Sequence, residues 1–192
     1  MTDFENYIHR YFSVSPDDIQ KIAPLFKPEA LKKGEYFLRS GAQCNKLSFI
    51  QEGLLRVYVY QPDREVTQWI SSPISFVTEF NAFFYRNPAL FNIQALTDTR
   101  LLTIDYEQYE ALRKALPAWS EFEKLFIGKC FVFMESRVFD LISLSEDERY
   151  NRLFNQNREL FNQVPLQYIA SMLGMTPETF SRIRKRQSKS FS

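Results

Sequence analysis

The chain has 192 residues, 45% of them hydrophobic, with 19 phenylalanines and 10 tyrosines, which is enough apolar material for one or two folded domains. Its formal net charge of +1 gives the whole chain no strong tendency to bind polyanions. One histidine, His9, and two distant cysteines, Cys44 and Cys130, exclude a four-thiolate iron–sulfur cluster and argue against a metal centre built on two or three histidines.

The first predicted element is a helix that begins after Ser15. Ser15 can cap the free amides, Pro16 suits the first turn, and Asp17 and Asp18 favour the positive end of the helix dipole. The prolines that follow at 24 and 28 end the helix.

From residue 31 to about residue 105 the pattern changes to short apolar or alternating runs. These runs cover residues 36–38, 47–50, 55–60, 66–70, 91–96 and 101–104, and turn signals such as Gly34, Gly41 and Gly53 separate them. Strands of this length and spacing predict an antiparallel sandwich or roll. Because no helix-length segments alternate with the strands, the sequence argues against a doubly wound parallel sheet.

A long helix is predicted over residues 118–144, which contain no proline and one glycine. Its apolar side chains recur at spacings of three and four, as a single stripe would. The stripe consists of Phe122, Leu125, Phe126, Val132, Phe133 and Phe139. A second copy of the same helix, in a parallel dimer, could cover this stripe. The alternative is that the helix packs on its own sheet.

Positive charge is concentrated at the C-terminal end of the chain. Residues 146–192 hold 8 Lys/Arg and 5 Asp/Glu, a net charge of +3, and the preceding 145 residues hold the remaining 16 Lys/Arg and 18 Asp/Glu, a net charge of −2. A nucleic-acid interface needs such a basic region. A solvated basic tail would give the same charge distribution.

Residues 165–186 have the pattern of two short helices joined by a tight turn. Pro165 suits the start of the first helix, Ile169 and Ala170 face a neighbour, and Gly174 can adopt the positive φ that ends it. Met175 then fills the space between the two helices. A preceding helix is predicted to begin at the acidic segment 145–148.

The second helix of this pair is capped, basic and polar on its outer side. Thr176 is its predicted cap and Pro177 its first residue, and Phe180 and Ile183 face inward. This arrangement is typical of a helix-turn-helix that reads DNA. An ordinary helical hairpin is the alternative.

The stretch 169–184, IASMLGMTPETFSRIR, resembles the C-terminal helix-turn-helix of the Crp/Fnr-type regulators. Residues 33–35, 47–53 with Arg56, and 95–98 followed by 101–104 resemble the β-roll of that family's cyclic-nucleotide-binding fold, and the long helix resembles its dimerisation helix. The resemblance implies an α+β fold with a sensor roll over residues 1–116, a dimer helix over 117–144 and a DNA-binding domain over 145–192 that lacks an evident wing.

The resemblance also implies which side chains meet DNA. Glu178 and Arg182 fall on positions that read bases in the family. An arginine can donate two hydrogen bonds to guanine, and a glutamate can accept one from cytosine. Thr179 and Ser181 are candidates for base or phosphate contacts. Contacts to phosphate, which fix position rather than sequence, are predicted for Thr176, Lys185 and Arg186.

The sequence departs from the family where cyclic nucleotides bind. Family members that bind them have an early Gly-Glu pair and a late Arg-Ser or Arg-Thr pair. In this chain no glycine precedes Glu79, and Ala89 and Leu90 occupy the positions of the late Arg-Ser or Arg-Thr pair. The nearest arginine, Arg86, lies three residues before the position of the family's arginine. Because a phosphate buried without its arginine is costly, we predict no tight binding of cyclic AMP or cyclic GMP.

The same region is rich in aromatic residues, namely Trp69, Phe76, Phe80, Phe83, Phe84, Tyr85 and Phe91. They predict either roll core or a site for an apolar or flat effector, formed by Glu79, Phe80, Arg86 and Phe91.

The sequence therefore predicts a cytoplasmic homodimer that regulates transcription by binding near-palindromic double-stranded DNA. RNA polymerase is a candidate partner and any small-molecule effector is unidentified; no metal, cofactor, membrane contact or enzyme activity is expected. A first alternative is an effector-binding signalling module that acts through a protein partner. A β-roll enzyme is a second alternative, and the lack of a paired catalytic constellation opposes it.

Overall fold

The computed structural model describes residues 1–190 of the chain. Two helices, α1 (Asp3–Phe12) and α2 (Pro16–Ile22), and a 3₁₀ turn at Ala23–Leu25 come first. The strands are β1 (Lys27–Leu31), β2 (Tyr36–Leu38), β3 (Lys46–Glu52), β4 (Leu55–Gln61), β5 (Arg64–Ser71), β6 (Ser75–Val77), β7 (Asn92–Ala95) and β8 (Thr99–Asp105). The remaining helices are α3 (Phe80–Phe84), α4 (Tyr106–Ala115), α5 (Pro117–Ser143), α6 (Glu146–Gln156), α7 (Leu160–Gln163), α8 (Leu166–Met172) and α9 (Pro177–Ser190).

The strands form two four-stranded antiparallel sheets that face each other. One sheet has the order β1-β8-β3-β6 and the other the order β2-β7-β4-β5. The core contains fully buried side chains from both sheets, among them Phe49 and Leu101 from the first and Leu55 and Ile93 from the second. The predicted α+β fold with an antiparallel roll is therefore confirmed.

Six elements were missed by the sequence prediction: α1, β1, β6, α3, α4 and α7. Helix α1 carried a readable signal, because Thr2 and Glu5 form a capping box. Its side chains Phe4, Ile8 and Phe12 recur every four residues and are buried in the roll core. The two missed strands, β1 and β6, are the edge strands of their sheet and are five and three residues long. Alternation of apolar and polar residues over so short a stretch carries little information.

The long helix α5 does not present its aromatic residues as one stripe, and this part of the prediction is wrong. Phe122 and Phe126 are 1% and 8% exposed and belong to the core of their own roll. Phe122 lies against Trp119 and Phe12, with ring centroids 4.4 Å and 4.5 Å apart. Both side chains therefore pack within their own chain and cannot cover a second copy of the helix. Leu125, Val132, Phe133 and Phe139 remain exposed. The helix is apolar on two faces, which its spacing alone could not separate.

Helices α6 to α9 form a second core around Tyr150, Phe161 and Phe180. This core continues into the roll, because Leu54 and Ile70 from the β4–β5 region are part of the same buried cluster. The helical unit consequently rests on the outer side of the β4–β5 hairpin. Residues 187–190, which follow the predicted DNA-reading segment, continue α9 as a helix; residues 191–192 lie outside the described residues.

Candidate nucleic-acid interface

The turn between α8 and α9 depends on Gly174. Met175 donates its backbone N–H to the carbonyl of Ala170 (2.9 Å), and Gly174 donates to the carbonyl of Ser171 (3.0 Å). This pair of hydrogen bonds closes the end of α8 in a Schellman motif, which needs a left-handed residue between the two bonds. Gly174 supplies it with φ +69°, as its position in the sequence predicted.

Helix α9 begins at a cap and lies on a buried α8. Thr176 accepts a hydrogen bond at its Oγ1 from the backbone N–H of Thr179 (3.2 Å), so it serves as the predicted N-cap. Phe180 and Ile183 turn inward and are buried, as are Ile169 and Ala170 of α8. The small side chain of Ala170 lets the two helices approach closely. Packing on this side leaves the other side of α9 to solvent.

Four of the predicted contact residues share the exposed face of α9. Glu178, Ser181, Arg182 and Lys185 lie at spacings of three, four and seven, which places them in one row. They line an open surface together with Pro177. One carboxylate and two cations therefore project from the same open side of α9.

The other three predicted contact residues are placed differently. Thr179 is half-buried, and its hydroxyl accepts a hydrogen bond from that of Thr176 at 3.3 Å. Thr176 itself is exposed at the start of the helix. Arg186 forms an ion pair with Asp147 of α6, so its guanidinium is directed toward the neighbouring helix rather than along the row.

A contact that sequence reasoning missed joins the roll to α8. The guanidinium of Arg56 in β4 lies between the rings of Tyr58 and Tyr168, 4.2 Å and 3.6 Å from their centroids. Its Nε donates to Thr67 Oγ1 (2.9 Å), and its side chain is only 2% exposed. We call this the Arg56 contact; a second bond, from the backbone N–H of Thr67 to Ser171 Oγ (2.9 Å), reinforces it.

The Arg56 contact could not be read from sequence, because its partners are far apart along the chain. Arg56 also pairs with Glu65 Oε2 at 2.5 Å, so the buried cation has both a carboxylate and two aromatic faces. Cation–π attraction strengthens when the cation is removed from water. The position of α8 on the roll is thus set by specific polar contacts as well as by apolar packing.

The two charged residues of the predicted effector pocket are engaged with the protein's own loops. Glu79 is buried and accepts a hydrogen bond from the backbone N–H of Ala82 (2.6 Å), which caps α3. Arg86 donates to the carbonyl of Cys44 (2.9 Å) and to Asn45 Oδ1 (2.6 Å). These bonds fold the loop rather than present a carboxylate and a cation to a ligand.

The aromatic residues of this region contribute to core packing. Phe80 is 36% exposed and stacks on Phe84 and Phe126, with centroids 5.3 Å and 6.0 Å apart, and Phe91 is half-buried. Trp69 lies elsewhere, against Phe133 of α5 at 4.7 Å. The aromatic set that the sequence grouped together is consequently divided between the roll core and the junction with α5, and Tyr85 is exposed.

A wide apolar surface runs along the outer side of α5. Its most exposed members are Phe131 (69%) and Ile142 (79%), which sequence analysis did not select. Other members are Leu125, Ile127, Val132, Met134, Val138 and Phe139. Glu135 lies in the middle of this surface, four residues after Phe131 and three before Val138. Exposed apolar surfaces of this kind mark interaction sites.

Comparison with known proteins identifies the roll and the fold. Residues 28–115 match the cyclic nucleotide-binding domain. FixK2 of Bradyrhizobium japonicum is 18% identical with a TM-score of 0.71, and the match covers 86% of this chain and 85% of that one. A putative regulator of the Crp/Fnr family from Eubacterium rectale is 19% identical with a TM-score of 0.71, over 96% and 88% of the two chains.

A third structural relative is a regulator responsive to c-di-GMP, CLP of Xanthomonas campestris. It is 16% identical with a TM-score of 0.68, and the match covers 92% of this chain and 93% of that one. A search of curated proteins gave no match. These likenesses extend over the roll, the long helix and the C-terminal helices.

Two further observations concern membranes and metals. Among the described residues 1–190, no helix is both long enough and apolar enough to cross a bilayer. The same residues contain no cluster of three or more His, Cys, Asp or Glu side chains that could hold a metal ion.

Proposed function

We propose that this chain is a transcription regulator that binds DNA as a homodimer. Its residues 28–115 match the cyclic nucleotide-binding domain, and it has the fold of the Crp/Fnr regulators. The observation that supports it best is the exposed row of Glu178, Ser181, Arg182 and Lys185 on a helix seated on buried α8. A major groove admits one α-helix and offers base edges to such a row. Its structural relatives are named as regulators and not as enzymes.

Within this proposal, Arg182 and Glu178 read bases. Arg182 can donate two hydrogen bonds to O6 and N7 of guanine, and Glu178 can accept one from N4 of cytosine. Ser181 stands beside them, with Thr179 at the margin. Lys185 contacts phosphate at one end of the row.

The start of α9 adds to the phosphate contacts. Thr176 lies at the positive end of the helix, where anions bind favourably. Arg186 supports phosphate binding less well, since it is paired with Asp147. The row is therefore expected to contribute more to sequence choice than Arg186 does.

Dimerisation in this proposal uses the exposed apolar surface of α5. A two-fold axis along this helix would bring Phe131, Val138 and Ile142 against the same residues of a second copy. Two α9 helices would then face adjacent major grooves, and the binding site would be a near-palindrome with half-sites about 10 bp apart or a multiple of that. We place the dimer in the cytoplasm, with RNA polymerase a candidate partner.

We further propose that cyclic AMP and cyclic GMP do not control this protein. Glu79 and Arg86 are bound to backbone groups and to Asn45, and Ala89, in the position of the family's arginine, is buried. A cyclic phosphate would lie in the roll without a guanidinium, which is costly. Calorimetric titration should show no micromolar affinity for either nucleotide, and such affinity would overturn this part of the proposal.

The experiment that tests DNA reading compares two single substitutions on two duplexes. Arg182→Ala should weaken binding to a selected duplex by roughly 1–3 kcal/mol and leave random duplex nearly unchanged. Lys185→Ala should weaken both duplexes by similar factors and reduce the salt slope by about 1. An equal loss on both duplexes for Arg182→Ala would contradict the assignment.

A further inference from the structure

We propose that a cavity between the long helix and the helix-turn-helix binds a small organic acid with an apolar body. The cavity has a volume of about 180 Å³ and is bounded by β5, α5, α6 and α8. Its walls include Trp69, Phe133, Arg137, Asp140, Arg149 and Arg152. This site lies outside the roll core, away from Glu79 and Arg86, and the proposal does not depend on DNA binding.

One side of the cavity is apolar. Trp69 and Phe133 meet edge to face there, with ring centroids 4.7 Å apart. Leu141, Leu153 and Met172 extend this wall. Four elements of the fold thus supply a surface suited to a ring or a short hydrocarbon chain, which is how pockets for small ligands are usually lined.

The opposite side carries more positive than negative charge. Arg137 is half-buried and donates to the carbonyls of Gln68 (2.8 Å) and Met172 (3.2 Å). Arg149 donates from Nε to the carbonyl of Leu173 (3.0 Å) and from Nη1 to that of Leu144 (2.7 Å). All these acceptors are neutral, and within residues 1–190 no ion pair joins either arginine to a carboxylate.

Arg152 is the one lining arginine with a carboxylate partner, Asp140. Three arginines and one aspartate give the cavity a net charge of +2. Burial lowers the pKa of Arg137, and Asp140 opposes the shift. A guanidinium that has left water without a carboxylate gains from an anion, and arginine binds carboxylates in a two-pronged geometry.

The size of the cavity limits the ligand. A volume of 180 Å³ corresponds to about six waters at their share of liquid volume, and it is below the range of roughly 300–1,000 Å³ for drug-sized ligands. An acid of benzoate or hexanoate size meets both walls at once. Inorganic phosphate, in contrast, leaves the apolar wall uncovered.

A ligand here would contact α5 and α8 together. Because α8 carries α9, an acid held between Arg137 and Arg149 would fix the orientation of the DNA-reading helix relative to the long helix. Ligands act on an equilibrium between conformations only through such differential contacts.

The test is calorimetric titration of the full chain, without DNA, with benzoate and hexanoate and with the neutral analogue benzyl alcohol. Either acid should bind at millimolar concentration or better, and benzyl alcohol should bind at least about fivefold more weakly. Quenching of Trp69 fluorescence should follow the same curve, since Trp119 is fully buried in the roll core and distant from the cavity lining.

Two substitutions of one ion pair sharpen the test. Arg152→Gln should weaken acid binding by about three- to tenfold, and Asp140→Asn should strengthen it by a similar factor, while neither changes the affinity for benzyl alcohol. Arg100→Gln, on the exposed outer surface of the roll, is the matched control and should have no effect.

Three results would overturn the proposal. They are the absence of binding of both acids up to about 10 mM, equal affinity for acid and alcohol, and weakening by both Asp140→Asn and Arg152→Gln. Because the titration contains no DNA, its failure leaves the proposed DNA reading untouched, and a failure to bind DNA leaves this site untouched.

Discussion

Gly53, between β3 and β4, permits a sharp test of the roll. Its φ is +91°, and a Cβ there would lie 2.6 Å from the carbonyl oxygen of Asp98 and 2.7 Å from Cα of Thr99, with Thr99 Oγ1 closer still. Thr99 cannot move away easily, because it is buried and is paired with Leu31 of β1. Its hydroxyl also donates a hydrogen bond to the carbonyl oxygen of Thr97 (2.9 Å). Gly53→Ala must therefore displace backbone.

Gly34 provides a matched control for the same substitution. Its φ is +89°, and a Cβ added at this position would have no heavy atom within 4 Å apart from its chain neighbours. Left-handed backbone costs a non-glycine residue about 1–2 kcal/mol at either site, and crowding in a packed region adds about 1–3 kcal/mol at Gly53 alone. Reduced freedom of the unfolded chain offsets about 0.4–1 kcal/mol in both variants.

The expected free energy of unfolding is lower by about 2–4 kcal/mol for Gly53→Ala and by about 1 kcal/mol or less for Gly34→Ala. For a chain of this size each kcal/mol corresponds to roughly 2–4 °C in Tm. Urea denaturation followed by circular dichroism measures the difference, provided that the variants share the same dependence of unfolding free energy on urea concentration. Equal losses for the two variants would refute the reasoning, because the contacts with Asp98 and Thr99 would then be irrelevant.

Three further predictions concern the dimer surface, the Arg56 contact and acid pH. Glu135→Leu should lower the dimer dissociation constant about tenfold in sedimentation equilibrium, since a carboxylate in an apolar interface is costly; a weaker dimer would contradict a seam at this position. Tyr168→Leu should reduce stability by about 1–2 kcal/mol, and combined with Arg56→Gln it should cost less than the sum of the single effects; strict additivity would contradict the stacking. The hydrogen bond from the backbone N–H of Lys33 lowers the pKa of Asp98 below its usual 3.8, so this stabilisation is complete above that pH and is lost as the pH falls through the lowered pKa. Stability profiles in acid should be flatter for Asp98→Asn, and an unchanged profile would contradict the shift.

Local signals were sufficient to predict much of the fold. Ser15 and Ser145 each cap a helix as expected, and Gly174 and Thr176 mark the turn and the second helix of the helix-turn-helix. Such features depend on neighbours a few residues away. The alternation along the longer strands is local in the same sense, and their positions followed from it.

Contacts between distant segments were not predictable in this way. The Arg56 contact joins β4 to a tyrosine 112 positions later, Tyr168, and nothing in either segment specifies the pairing. The apolar residues of α5 look alike in sequence, yet Phe126 packs on its own roll and Phe131 is exposed. Only the tertiary packing of α1 and the roll against α5 separates these two faces.

The candidate site shows the same division. Glu178, Ser181, Arg182 and Lys185 lie in one exposed row, because their spacing alone determines it once α9 is helical. Arg86 and Glu79 hydrogen-bond to nearby backbone groups, and the geometry of the loop between β6 and β7, which composition does not specify, decides these partners. Spacing on a helix therefore predicted which side chains lie together better than composition in a loop did.

The most direct measurement of the central claim is selection of bound sequences from a random duplex pool by the purified full chain. We expect enrichment of a near-palindrome whose half-sites are about 10 bp apart or a multiple of that, with retention that weakens as salt rises. No enrichment of any sequence at low salt, from a protein that sediments as a monomer, would contradict it.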